Sequence, residues 1–176
     1  MQRSRLAFAA LAATLLVSCT DSLDGRGATG DPETELDIQT MDLAASYKTF
    51  AHINKTADAS SVGAFDINLY VYGDAADYAK IHPESTTDSP TIPVGTVIVR
   101  EVLDTTGSIA KLTVMAKGPA GYDSTLGDWW FAEASPDGVP LVTDGALRVG
   151  RLADCHSCHV PRESDDFLFG VPAADE

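Results

Sequence analysis

The sequence predicts an α+β domain: mainly an antiparallel β-sheet in meander order, with an N-terminal helix and a C-terminal segment built around a Cys-x-x-Cys-His motif. Three observations predict it. Phe65-Asp66-Ile67-Asn68-Leu69-Tyr70-Val71 alternates apolar and polar residues as a half-buried strand does. Residues 96–103 and 110–117 are two more strand-like runs, joined by Asp104-Thr105-Thr106-Gly107, a good hairpin turn. Ahead of them, Leu43, Tyr47, Phe50 and Ile53 recur at helical spacing, with Asp42 and Lys48 off the stripe.

Taken in order, the chain opens on a leader. Arg3 and Arg5 precede an apolar run, residues 6–17, too short to span a bilayer comfortably. The run ends in Leu16-Val17-Ser18-Cys19, which resembles the bacterial lipobox. Residues 1–18 therefore read as a signal peptide and Cys19 as the lipidated first residue of the mature protein. An ordinary signal peptide cut slightly later, or an uncleaved anchor, is the competing reading. Either exports the chain, and lipidation also accounts for the odd one of three cysteines. Thr20, rather than an acidic residue, follows Cys19, so retention at the inner membrane is not signalled. The expectation is a periplasmic protein, lipid-anchored to the outer membrane, that touches a membrane only through this lipid.

Residues 19–36 are rich in Gly, Asp, Thr, Ser and Pro and read as a flexible acidic tether. Residues 37–176 are left as one globular domain with one core. Cleavage before Cys19 removes Arg3 and Arg5 and no acid, so the formal net charge of −14 falls by two, to −16. Such a surface repels nucleic acid and anionic lipid, and it suits a basic partner protein or a cationic or neutral small molecule.

Within the domain, residues 40–53 are expected as the helix. Asn54-Lys55-Thr56 is a formal glycosylation sequon that carries no information in a bacterial lipoprotein. Gly73-Asp74 ends the first strand, residues 75–81 suit a short helix stopped near Pro83, and residues 83–93 are loop. In the second hairpin strand Leu112, Val114 and Ala116 share one face, while Lys111, Thr113, Met115 and Lys117 share the other. Gly118-Pro119-Ala120-Gly121 breaks the pattern. Residues 128–133 form an aromatic strand, Asp137-Gly138 a turn, and residues 139–142 a short returning strand.

The chemistry sits in Cys155-His156-Ser157-Cys158-His159. C-x-x-C-H is the pattern of c-type haem attachment. On a short helix Cys155, Cys158 and His159 fall at i, i+3 and i+4 and share a face. Two thiols can then form thioethers to one porphyrin, with the adjacent imidazole as proximal iron ligand. A zinc knuckle would need two more ligands, and the only other cysteine lies in the leader. A thioredoxin-like pair would want a strand before it and a long helix after it, for which Gly150 and Pro161 leave little room. A structural disulfide leaves His159 unexplained. One covalent haem c is the expected cofactor.

Several motifs then line up with one family. Pro93-Val94-Gly95-Thr96-Val97-Ile98-Val99-Arg100-Glu101 resembles its strand "P-x-G-x-V-x-V-K-E". Met115-Ala116-Lys117-Gly118-Pro119, followed by Gly121-Tyr122-Asp123, resembles its "M-x-K" strand and loop. Gly127-Asp128-Trp129-Trp130-Phe131 is similar to "G-D-W-x-F", Asp166-Phe167-Leu168-Phe169 to the "D-x-x-F" that follows the haem motif, and residues 65–71 to its "D-I-Y-V" strand. Together, over residues 47–170, they resemble the cytochrome P-460 family, which includes the cytochromes c-prime-beta. The resemblance implies a mainly β, usually dimeric cytochrome with one haem against the sheet, a proximal histidine and an open distal side. Members with the P-460 chromophore carry a lysine cross-link to the porphyrin and oxidise hydroxylamine. The c-prime-beta members lack the link and bind small gases such as nitric oxide. Here Arg100 stands where the cross-linking lysine would be sought, and arginine is a poor nucleophile, so the expectation is no cross-link.

Around the iron, His159 is the proximal ligand, its other ring nitrogen expected on a backbone carbonyl of the following loop. His52 is the foremost protein candidate for a sixth ligand, against a plain boundary histidine. His82 and His156 read as surface residues, and Met41 and Met115 as core residues that could ligate. Arg100, Arg148 and Arg151 are candidates to pair with propionates, or are solvated charges. Trp129, Trp130 and Phe131 are expected to pack the sheet against haem or subunit. An enzyme needs a proton acceptor near the iron, and Glu101, Asp128 and Glu133 are available. Three functions follow: binding or oxidation of a small nitrogen species at an open iron, electron transfer through a six-coordinate haem with a basic or small-cytochrome redox partner, and non-catalytic gas binding. A homodimer is expected from the resemblance.

Overall fold

The structure, a computed structural model, describes residues 32–54, 57–59, 66–82 and 89–171. The leader, Cys19, most of the tether, Lys55, Thr56 and Phe65 lie outside the described residues. The described residues form nine strands: β1 Ala51–His52, β2 Asp58–Ala59, β3 Asp66–Tyr72, β4 Val97–Leu103, β5 Ile109–Lys117, β6 Trp129–Ala134, β7 Val142–Thr143, β8 Ala146–Leu147 and β9 Val149–Gly150. The main sheet is antiparallel throughout in the order β1-β3-β4-β5-β6-β9, with β2 also on β3, and β7-β8 form a separate hairpin. Helices α1 (Pro32–Ala44), α2 (Ala75–Tyr78) and α3 (Ala153–His159) complete an α+β fold. None of the described helices is long and apolar enough to cross a membrane.

The alternation read in β5 holds, and both of its faces are covered. Leu112, Val114 and Ala116 join Val97, Val99, Trp130 and Ala132 in a core closed by Ala44, Tyr47 and Phe50. Trp130 Nε1 donates to Asp37 Oδ1 at 2.5 Å, which ties α1 to this face. The opposite face carries a second core, Leu69, Val71, Ile98, Trp129 and Phe131, under α2 and the C-terminal segment. Strand register sets the order of side chains on that second face. Leu69, Arg100, Thr113 and Glu133 stand opposite one another in one row. Val71, Ile98, Met115 and Phe131 form the next.

Three expectations are corrected. The helix begins at Pro32, inside the stretch read as tether, and ends at Ala44, so it does not run over residues 40–53. Proline with fixed φ suits a first helical turn, and Glu35 favours its positive end. The apolar stripe continues through a 3₁₀ turn, Tyr47–Thr49, and then divides: Tyr47 and Phe50 pack on the α1 face and Ile53 on the other. The returning strand is not residues 139–142, of which Pro140 bridges Ala134 and Val142 belongs to the separate β7-β8 hairpin. It is β9, which pairs with Phe131 and Ala132. The β7-β8 hairpin between them turns on Asp144-Gly145, both at positive φ, as a tight two-residue turn needs.

The C-terminal segment is pinned to the stretch just after α2. Val171 N–H donates to the Ile81 carbonyl at 3.1 Å, and a Cβ on Gly170 (φ +67°) would lie 2.0 Å from that same oxygen. Gly170→Ala is therefore expected to destabilise the fold by about 2–3 kcal/mol, read as a lowered urea midpoint with unchanged slope.

Candidate haem-binding site

Gly150, at φ +91°, turns the chain off β9, and buried Leu152 anchors the start of α3. The helix is short, and His156 and His159 fill its last turn. Cys155, Cys158 and His159 line one cavity of about 300 Å³, across from Arg100, Val102, Lys111, Thr113, Met115, Phe131 and Glu133. A smaller cavity of about 40 Å³ shares Arg100, Thr113, Met115 and His159. The larger one reaches the size of cofactor pockets, roughly 300–1,000 Å³, and its lining mixes apolar side chains with charged ones. His156 lines a different cavity with Asp123 and Thr125, so the helix turns it away from the two thiols.

His159 Nδ1 lies 2.6 Å from the Phe167 carbonyl oxygen. Burial pushes the His159 pKa down; the Phe167 hydrogen bond opposes this and the Arg100 charge adds to it. The imidazole is thus neutral, and since a carbonyl only accepts, the proton is on Nδ1. Nε2 keeps its lone pair and has no protein partner among the described residues. The rings of Phe131 and Phe169 hold the imidazole at centroid distances of 5.3 and 5.1 Å.

Cys155 and Cys158 are both free thiols. Burial first, then the charges of Asp154 and Glu133, push the Cys155 thiol up to about 11. A redox pair of the thioredoxin kind instead works through a lowered thiol pKa. Among the described residues no cluster of three or more His, Cys, Asp or Glu could hold a metal ion, so a zinc site finds no further ligands. A haem iron asks for one imidazole, and the pair of thiols beside it suits the porphyrin edge. The donor set fits covalent haem.

The charges on the cavity wall are mostly paired. Glu133 binds Lys111 and, at 2.8 Å, Arg148 Nε; Arg148 Nη2 reaches Asp154 at 2.5 Å. Burial raises the Glu133 pKa, but the hydrogen bonds from Lys111 and Arg148 outweigh it and keep the carboxyl below its ordinary value. Arg100 bonds Thr113 Oγ1 through Nε at 3.1 Å and has no carboxylate partner among the described residues. Burial pushes its pKa down.

The other candidates are separated by the fold. His52, foremost in the sequence as a sixth ligand, stacks on Tyr70 at 4.7 Å, and Tyr70 belongs to the α1-side core. Met41 packs on that side too. Met115 is the methionine that reaches the cavity, because β5 alternation puts it beside Thr113's face. His82 is half-buried rather than a surface residue, with Nδ1 at 2.9 Å from the Val171 carbonyl. Arg148 is committed to Glu133 and Asp154, while Arg151 lies 4.3 Å over the Tyr122 ring and bonds its carbonyl. Asp128 braces a loop by accepting the Gly121 and Asp123 amides. Of the aromatic run, Phe131 lines the cavity, Trp129 packs on the same sheet face, and Trp130 is on the far one. The backbone carbonyl expected for His159 is that of Phe167, while sequence reasoning gave no site role to Thr113 or Asp166. The polar positions of β5 are the signal for the first, and no local pattern signals the second.

A Cys-x-x-Cys-His helix folded over one face of an antiparallel sheet, with one neutral imidazole presenting a free nitrogen to the cavity, defines a c-type cytochrome. The chain belongs to the cytochrome P460 family, which matches residues 44–170, well over half its length. No curated protein matches it. Membership brings haem c and its iron as the cofactor.

Glu101 is excluded from this site by one residue of register. It points to the α1 face, 2% exposed, accepting from Tyr47 Oη at 2.6 Å, Asn68 Nδ2 at 2.9 Å and Lys48. Burial raises its pKa, and those hydrogen bonds outweigh burial, leaving it below its ordinary value. A carboxyl depressed in the folded state adds stability that is full above its unfolded pKa of about 4.3 and is lost as pH falls through the lower folded value. Glu101→Gln is expected to cost about 1.5–3 kcal/mol at pH 7. That gap should shrink below about pH 4, as urea unfolding at both pH values would show.

Proposed function

We propose that the chain is an exported mono-haem c-type cytochrome that binds or oxidises a small nitrogen species of the hydroxylamine or nitric oxide type. One haem would be held by thioethers from Cys155 and Cys158, with His159 Nε2 on the iron and the other side open to the small molecule. The haem, when bound, supplies the coordination position and takes up electrons. The observation that carries the reading is the free Nε2 of a neutral, oriented His159 on the same cavity as both thiols. Glu133 and Asp154 both line that cavity, and Glu133, on the sheet side across from the thiols, is the group suited to accept a proton from the substrate. Its salt links to Lys111 and Arg148 keep it ionised and hence able to accept. Arg100, with no carboxylate partner among the described residues, suits a propionate.

Neither lysine near the site is set up for a cross-link. Lys111 is engaged by Glu133 and Lys117 by Asp166. The leader and Cys19 support a periplasmic protein held by lipid at the outer membrane, and the acidic surface supports a basic or small-cytochrome redox partner. Exposed Val139, Val142 and Leu147 support a homodimer. A second reading, an electron carrier, rests on Met115, which shares both cavities with His159 and could supply a sixth ligand.

The test is a spectrum of protein purified from a host that matures c-type cytochromes. Pigment that survives denaturation, and a high-spin site that binds nitric oxide, are the expected results. Low-spin iron indifferent to gas favours the carrier with Met115, and loss of the colour on denaturation overturns covalent attachment. Turnover of hydroxylamine with an artificial acceptor separates an enzyme from a gas binder. In an enzyme, Glu133→Gln is expected to slow turnover by about 10²-fold or more while nitric oxide affinity is kept.

A further inference from the structure

Asp166 and Phe167 are consecutive non-glycine residues at positive φ, +50° and +63°. L-residues hold that conformation only where their surroundings over-determine it. Here the surroundings are explicit. Asp166 Oδ1 pairs with Lys117 Nζ at 2.6 Å, the side chains being only 9% and 8% exposed. Asp166 Oδ2 accepts the Ile92 amide at 2.7 Å, and its carbonyl accepts Trp129 Nε1 at 2.8 Å. The Phe167 amide donates to the Arg162 carbonyl at 2.7 Å, and its ring fills the space that a Cβ on Gly127 would enter at 2.7 Å. The next atoms along the chain are the Phe167 carbonyl that accepts from His159 Nδ1 at 2.6 Å.

A buried ion pair contributes little net stability, because desolvation offsets the attraction. Its value lies in direction. Lys117 sits at the end of β5, held at its backbone by Thr96 and Gly95 and at its ammonium by the Trp129 ring, 4.8 Å away. It is a fixed point of the sheet, and Asp166 is clamped to it.

We infer that the Lys117–Asp166 pair is the positioning device of the proximal histidine: it locks the left-handed Asp166-Phe167 turn to the sheet and so aims the Phe167 carbonyl at His159 Nδ1. The inference rests on His159 being the iron's ligand. A carbonyl held at this distance draws the Nδ1 proton and makes Nε2 a stronger donor, which favours ferric iron. Loosening the turn weakens that donation, so the iron becomes easier to reduce.

The experiment uses the haem-loaded protein and the variants Lys117→Met, Lys117→Arg and the double variant Lys117→Met/Asp166→Asn. The double variant removes both charges, and so keeps the fold if the single one does not. Readouts are the reduction potential and the resonance Raman iron–histidine stretch of the ferrous protein. In Lys117→Met and in the double variant the ferrous-to-ferric ratio at fixed potential should rise about tenfold, 59 mV for one electron. The stretch should fall, and Lys117→Arg should keep both near wild type. The double variant should match Lys117→Met rather than add to it. Variants that fold, by their urea transitions, yet keep the wild-type potential and stretch would overturn the inference and leave His159 as ligand standing. Wild-type ferrous protein that is five-coordinate and high-spin yet shows no iron–histidine stretch would overturn the ligand assignment itself, and the inference with it.

Discussion

A carbonyl oxygen can only accept a hydrogen bond, and the one at Phe167 therefore decides which nitrogen of His159 carries the proton. Everything distinctive in the C-terminal third serves that contact. Gly150 turns the chain off the sheet, seven residues of helix bring two thiols and the imidazole to one face, and the 3₁₀ run Val160–Asp165 returns the chain beneath them. The left-handed turn then presents its carbonyl back toward the helix. Without the turn the imidazole could rotate or take the other tautomer, and Nε2 would no longer be a lone pair aimed into the cavity.

The electrostatics of the two sheet faces follow from the period of two along each strand. Glu101 and Glu133 are both carboxylates in central strands, both depressed in pKa by hydrogen bonds from cations. Their roles diverge because alternation sends Glu101 to the α1 face and Glu133 to the cavity. A shift of one residue in β4 would exchange Arg100 for Glu101 across from the thiols and reverse the sign of the cavity wall. Register, rather than composition, decides what charge the cofactor meets.

This division explains what could be read in advance. The haem motif and the strands at residues 66–72, 97–103, 109–117 and 129–134 were legible because their signals are local: i, i+3, i+4 spacing, alternation in the first and third strands, a hairpin turn before the third and an aromatic run in the last. The start of α1 was hidden because a composition typical of tethers masked a proline and an acid placed for a first helical turn. The closing strand was misplaced because Asp137-Gly138 drew attention from Asp144-Gly145, the turn that shapes the extra hairpin. His52 looked like a ligand because it ends an apolar stripe, yet the chain leaves the helix at Ala44 and delivers it to the far side of the sheet. Lys117 and Asp166 are 49 residues apart, and no local pattern announces a pair at that separation.

The cavity face breaks the rules by which a core is built, and the reverse face compensates. Arg100, Lys111, Thr113 and Glu133 in mid-sheet bury polar atoms whose pairing no more than offsets their desolvation. Directly behind them Val99, Leu112, Val114, Trp130 and Ala132 are at most 2% exposed. Burial of each large apolar side chain there contributes about 1.5–3 kcal/mol. The same strands thus carry stability on one side and chemistry on the other, which is why α1 is needed. Stripped of α1 and the 3₁₀ turn behind it, the apolar side would face water. The sheet would then lose the burial that lets a cationic, half-open wall persist opposite Cys155, Cys158 and His159.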